Sequence, residues 1–332
     1  MAKPTYALIA KRAQVGTSTV ERVLNGRGGV REQTVEKVLK AARALDWPGR
    51  LPERHSGILR IEAILVRPET SFYARLAAAF RRIAASLDPS FQIHVMFLEE
   101  NNPSVIADRI ANPPLRRAGL VVSAPDHATV REALSRVTAE GLPVVQVVTQ
   151  SIQGPAFVGI DNYAAGRMAG LLMSRMGDVR GTVVALCHSA VYPVHRNRIR
   201  GFSDYLAEHP REGLHFAHVS FGGDERDRSA RGVREAIGAW PDLAGFYNAG
   251  GANSGVIDAL RHIGRPVFFV GHELNDLTRA ALQDGTADVI FDQLPEAQAR
   301  RAVDLLLAQL GFLDDPVDNP PIRFATITAE NI

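Results

Sequence analysis

Carboxylate, amide, guanidinium and aromatic side chains recur just beyond the strand-like segments of this chain. Phe72 and Tyr73 follow the first such segment, Asp126 a later one, and Asp161 and Asn162 the stretch 157–160. The Arg196–Arg198 segment follows the stretch 182–187, and Asn248, Glu273 and Gln293 follow three more. Planar carboxylate, amide and guanidinium groups pair with hydroxyls, and aromatic faces cover apolar C–H surface, which is the mixture a sugar-like ligand needs. Taken singly, each of these residues serves equally as a loop cap or an ion-pair partner. As a set they favour binding, because strand ends converge. Catalytic chemistry finds no comparable assembly. The ten histidines have neither H-x-x-x-H nor H-E-x-x-H spacing, and a G-x-S-x-G elbow is absent. The glycine-rich stretch 250–255 lacks the Gly-Lys-Ser/Thr ending of a phosphate loop, and Cys187 ends an apolar strand pattern as a core thiol. No catalytic residue, metal ligand or cofactor is expected.

The elements that position these residues alternate in type. Strand patterns at 61–66, 93–98, 119–123, 144–148, 182–187, 216–220, 245–248, 267–271 and 287–291 are separated by helical patterns. The helical stretches are 73–87, 129–139, 164–176, 198–208, 228–239, 255–263, 274–284 and 295–310. This order predicts an α/β fold with doubly wound parallel sheets. About 270 residues is large for one open sheet, so two lobes are expected. Their expected bounds are 60–161 with 294–320, and 162–293 with 321–332, in an effector domain of 60–332.

A different unit precedes them. Residues 1–60 hold 12 Lys+Arg against 5 Asp+Glu, leaving 26 against 31 in the rest, so a total charge of +2 hides a basic head on an acidic body. A polyanion partner is expected for the head alone. Apolar spacings of three and four predict three helices within 5–46: Leu8, Ile9 and Ala13; Val20, Val23 and Leu24; and Val35, Val38, Leu39, Ala42 and Leu45. The first two helices are joined by Gln14-Val15-Gly16, a helix-turn-helix connection. Lys11, Arg12, Arg22, Arg27, Arg31, Lys37 and Lys40 can neutralise phosphates.

The run from Thr5 to Asn25, continued by Val30, Thr34, Val38, Ala42 and Leu45-Asp46-Trp47, resembles the DNA-binding head of LacI-family transcriptional regulators. The resemblance implies a helix-turn-helix domain over 1–47 whose second helix enters the major groove. Thr17, Ser18 and Arg22 are then the base-edge positions, with Thr5, Thr19, Asn25 and Arg27 also facing DNA. Thr17 and Ser18 have an alternative as helix caps, and Ser18 with Glu21 has the S-x-x-E spacing of a capping box. Glu21 stands where the family has serine; it either accepts from a cytosine amino group, or caps the helix or orients Arg22. The linker 48–59 is short and holds two prolines, with Leu51 as the one candidate for a minor-groove wedge.

Residues 60–330 resemble the periplasmic-binding-protein type I effector domain, and ribose- and galactose-type sugar binders in particular. The segments that carry this are 69–73, 158–166, 196–202, 270–273 and 292–295. By that resemblance Phe72 and Tyr73 sandwich a sugar ring. Asn162, Arg196, Glu273 and Gln293 bond its hydroxyls, with Asp126 and Asn248 as weaker members. Arg196, Arg198 and Arg200 beside His195 also suit an anionic sugar.

The resulting expectation is a cytoplasmic regulator, a repressor, that binds near-palindromic operator DNA as a homodimer and senses a sugar or sugar derivative. The alternatives are a sugar-processing enzyme fused to a DNA-binding head, and the same regulator sensing a nucleobase, nucleoside or anionic sugar. A disulfide framework needs more than one cysteine, and no apolar run reaches the length of a membrane span. The N-terminus lacks a signal-peptide pattern and the C-terminus a leucine heptad, so export and tetramers are not expected.

Overall fold

The computed structural model describes residues 4–25, 30, 32–49, 51, 58–176, 180–188, 193–313 and 315–332. The chain divides between Leu59 and Arg60 into two compact units.

The first unit packs three helices, α1 (Tyr6–Ala13), α2 (Thr17–Leu24) and α3 (Glu32–Arg43). Ile9, Ala13, Val20, Val23, Val38 and Leu39 are buried at their centre, while Leu8, expected inside, is half exposed. Thr5 caps α1 by accepting from the Leu8 N–H. Gln14 ends α1 in the left-handed region, so the chain turns sharply into α2. Gly16 is the N-cap of α2 and supplies no side-chain bond; Ser18 therefore sits inside the first turn, not at the cap position that S-x-x-E spacing implied.

The second unit holds two sheets. One has the order β2-β1-β3-β4-β5, built from β1 (Leu59–Val66), β2 (Phe91–Leu98), β3 (Gly119–Val122), β4 (Val144–Val147) and β5 (Ala156–Val158). The other runs β11-β10-β9-β8-β6-β7, from β6 (Gly181–Cys187), β7 (Leu214–Phe221), β8 (Leu243–Asn248), β9 (Phe268–His272), β10 (Val289–Asp292) and β11 (Ala325–Ile327). The ladders β1–β3, β3–β4 and β4–β5 are parallel, as are those from β7 to β10, whereas β11 pairs antiparallel with β10. Strands such as β1, Leu-Arg-Ile-Glu-Ala-Ile-Leu-Val, are nearly continuously apolar because helices cover both faces. The one acid in β1, Glu62, is buried between Arg109 and Arg117.

The helices are α4 (Ser71–Ser86), α5 (Pro103–Ala111), α6 (Ala128–Ala139), α7 (Asn162–Arg175), α8 (Pro193–Glu208), α9 (Arg226–Ala239), α10 (Asn253–Arg261), α11 (Asp276–Gln283) and α12 (Pro295–Gln309). Helix α12 returns to pack on α4 and the first sheet, so the first lobe mixes early and late chain. Among the described residues no helix is long and apolar enough to cross a membrane.

Candidate functional site

The carboxyl ends of both sheets face one cleft, lined by Arg67, Phe72, Tyr73, Glu100, Thr149, His195, Arg198, Asp224, Glu273 and Gln293 among others. The space enclosed there is about 60 Å³. Four non-glycine residues at its wall, Arg67, Val148, Asp224 and Glu273, have positive φ. Such conformations cost on the order of 1–3 kcal/mol each and persist where surrounding structure imposes them, most often at functional sites.

Residues of opposite lobes meet across the cleft. The Arg67 guanidinium lies 2.7 Å from an Asp224 carboxylate oxygen, and the other Asp224 oxygen accepts from the Gly251 N–H at 2.7 Å. Burial disfavours both charges, but their mutual attraction prevails: the Arg67 pKa stands above its ordinary value and that of Asp224 below. Ser71, at the start of α4, donates to Glu273 at 2.9 Å and accepts from Asn275 at 3.1 Å. Arg75 reaches Asp292 and Glu296 with bidentate geometry.

Glu273 is half-buried, and desolvation raises its pKa to about 7 against the pull of the Ser71 hydrogen bond. Burial pushes His195 the other way, to about 3, so it stays neutral. Arg198 is buried and donates to Asn162 Oδ1 (2.8 Å), Ala249 O (2.9 Å) and Gln293 Oε1 (2.7 Å), all neutral acceptors. It is thereby fixed as a positive group at the cleft, with its pKa lowered by burial.

The sequence-derived set divides. Glu273 and Gln293 line the cleft. So do Phe72 and Tyr73, but their rings meet edge to face, with centroids 5.3 Å apart and planes at 87°, and Tyr73 OH is tied to Ser123 Oγ at 2.8 Å. They cannot sandwich a sugar ring between them; they offer a wall. Asn162 supports Arg198 from behind. Three candidates lie elsewhere. Arg196 is exposed, two residues out of phase with Arg198 on α8, and belongs to a groove beside β7. Asp126 pairs with Arg131 outside the cleft. Asn248 is fully buried and braces the following loop through Gly251 O and Asn253.

Sequence reading missed Arg67, Glu100 and Asp224 and passed over Arg198 as a hydroxyl-bonding residue. The signal for Arg198 is the buried stripe His195, Arg198, Gly201, Phe202 and Tyr205, a helical spacing that starts at Pro193. Cys187 is buried with its pKa raised by that burial to about 12, as a core thiol should be. No group of three or more potential metal-holding His, Cys, Asp or Glu side chains occurs among the described residues.

In the head, α2 buries Val20, Val23 and Leu24. At 100° per residue this leaves Ser18, Arg22 and Asn25 on the opposite arc, all exposed, with Glu21 and Thr19 at its flanks and Thr17 exposed at the helix start. Thr5 is exposed at the start of α1, occupied as its cap. Arg27 and the stretch 52–57 lie outside the described residues. Leu51 is packed against the head's own apolar core, which it must leave to act as a wedge.

These features have clear relatives. The profile of the family described as "Periplasmic binding protein domain" matches residues 106–313, and that of "Bacterial regulatory proteins, lacI family" matches residues 8–48. The chain belongs to the periplasmic binding protein domain family and carries a lacI-type head. An HTH-type transcriptional regulator encoded in the aml 5′ region of Streptomyces limosus is 30% identical over 217 residues, 62% of this chain and 59% of that protein. The HTH-type transcriptional regulator MalR of Streptomyces coelicolor is 30% identical over 203 residues, 58% of this chain and 56% of its own. The match thus spans under two thirds of either regulator. Among solved structures, the glucose-galactose binding protein GanP of Geobacillus stearothermophilus aligns with TM-score 0.72 and 18% identity, over 83% of this chain and 99% of that one. An ABC transporter solute binding protein of Burkholderia graminis, solved in complex with D-arabinose, aligns with TM-score 0.74 and 18% identity, over 83% and 97%. At that identity the likeness is one of fold.

Proposed function

We propose that this chain is a ligand-responsive, sequence-specific transcriptional regulator, a repressor that binds operator DNA as a homodimer and takes a sugar or sugar derivative into its cleft. The observation that carries the reading is a cleft bridged by Arg67–Asp224 and Ser71–Glu273 on the same chain as a basic helix-turn-helix head. A ligand that prefers one lobe arrangement shifts the population of the other and changes DNA affinity only by that difference. Fixed donors and acceptors of both signs, an aromatic wall and the amide of Gln293 suit a hydroxyl-rich ligand. The carboxylates Asp224 and Glu273 are engaged in lobe-to-lobe contacts, which favours a binder over an enzyme. Two further supports are the HTH-type regulators among its relatives and the sugar-binding proteins among its structural neighbours, one named for glucose and galactose and one in complex with D-arabinose.

The test is selection of duplexes from a random library by the full chain, followed by titration with sugars. A near-palindrome with half-sites about one helical turn or a multiple apart is expected. An effective sugar should change operator affinity by the same factor by which operator changes sugar affinity. Sequence-independent binding alone, or a sugar without reciprocal effect, would overturn the reading.

A further inference from the structure

A second cavity, of about 380 Å³, adjoins the cleft beside the crossing between the lobes. Val148 and Val194 line both spaces and so stand between them. The floor is continuous as well. Asn162 lines the second cavity, and its Oδ1 holds Arg198, which lines the first.

The chemistry of the two spaces differs. The cleft is ionic, with Arg67, Arg198, Glu100, Asp224 and Glu273 on its wall. The annex offers the amides Gln150, Asn162, Asn197 and Asn319 together with the ring of Phe157, and its one charged side chain, Asp161, is engaged as the cap of α7 through the Ala164 N–H. That ring lies against Gly159, where a Cβ would stand 2.6 Å from Phe157 Cζ, so the absence of a side chain at 159 fixes where the ring can lie. Amides around one aromatic ring suit the hydroxyls and C–H face of an uncharged sugar ring, not an anion. Ligand pockets generally run to a few hundred Å³, a size the annex has and the cleft in this structure lacks.

We propose that the annex is a second sugar subsite, and that the effector is a disaccharide or other neutral glycoside with one ring in the cleft and one beside Phe157. This rests on the sugar reading of the cleft and narrows it. The bound ligand passes between Val148 and Val194, whose side chains give way as the lobes part.

The test is calorimetric titration of the full chain with glucose, galactose and arabinose, and with maltose, trehalose, melibiose and lactose. At least one disaccharide should bind about tenfold or more tighter than its component monosaccharides, the worth of one added ring contact or hydrogen bond. Asn197→Trp, which fills the annex, should abolish that gain and leave monosaccharide binding within about twofold. The milder Asn197→Ala and Phe157→Ala should each reduce the gain while the ligand-free melting temperature stays near wild type, which separates loss of contact from loss of fold. Equal affinities for both sugar classes, with Asn197→Trp changing neither, would overturn the annex and leave the cleft standing. Silence of the wild type toward every sugar would overturn the sugar reading itself, and the annex with it.

Discussion

Glu273 combines partial burial, a positive φ and a pKa of about 7. Because its folded pKa stands above the ordinary 4.5, the folded state holds a proton the unfolded chain has released, and stability is lost as pH rises from about 4.5 to about 7. Glu273→Gln keeps the acceptor for Ser71 and cannot ionise. It should melt close to wild type at pH 5 and about 3 °C or more above it at pH 8, with the gap opening through that window and then constant. Parallel melting curves across pH would show that Glu273 ionises without penalty. The arginines of α8 make a second prediction at this scale. Arg198→Lys loses the fork that holds Asn162, Ala249 O and Gln293, and should weaken effector binding about tenfold or more, while Arg196→Ala should leave it within about twofold. The family resemblance puts Arg196 on the ligand, and a helical pattern that begins at 198 leaves 196 with no phase to contradict it. Once α8 starts at Pro193, its phase turns Arg198 inward and Arg196 and Arg200 outward.

Between elements, the position of Arg198 depends on how closely α7 and α8 approach. A Cβ at Gly166 would stand 2.0 Å from Arg198 O, and one at Gly201 2.1 Å from Tyr163 O, so the two backbones touch where neither helix has a side chain. Gly166→Ala must push the helices apart at the residue that lines the cleft. Overpacking of this kind costs roughly 1–3 kcal/mol, and a melting temperature lower by about 5 °C with weakened effector binding is expected. Unchanged melting and affinity would mean the crossing relaxes freely. Strands were the legible elements, because parallel strands covered on both faces read as short apolar runs. Helix α5 was missed because it turns only Ile106 and Ile110 inward and sits between Asn-Pro breaks. Those same residues, Asn102 as N-cap with Pro103 behind it and Asn112 as C-cap, are its boundaries. Arg67, Glu100 and Asp224 were illegible for another reason. Each follows a strand in its own lobe, and nothing local indicates that Arg67 and Asp224 will meet across a cleft from positions 157 residues apart.

For the whole molecule, the charge division sets how DNA affinity responds to salt. With 12 Lys+Arg against 5 Asp+Glu in residues 1–60 and 26 against 31 beyond, the proposed DNA contact assigns its phosphate pairs to the head, the unit with the positive balance. Within the head the basic residues do different work. Arg12 is exposed at the end of α1, where it can meet the backbone, whereas Arg22 lies on the outward arc of α2, beside Ser18 and Asn25. A phosphate contact releases about one counterion and is blind to sequence; a base contact is worth about 1–3 kcal/mol on the right duplex and nothing on the wrong one. Arg12→Ala should therefore lower affinity for operator and random duplex alike and reduce the slope of log K against log salt by about one. Arg22→Ala should cost roughly tenfold or more on operator alone and leave the slope nearly unchanged. Equal losses from Arg22→Ala on both duplexes, with a reduced slope, would make it another phosphate contact and shift base reading to Thr17, Ser18 and Asn25.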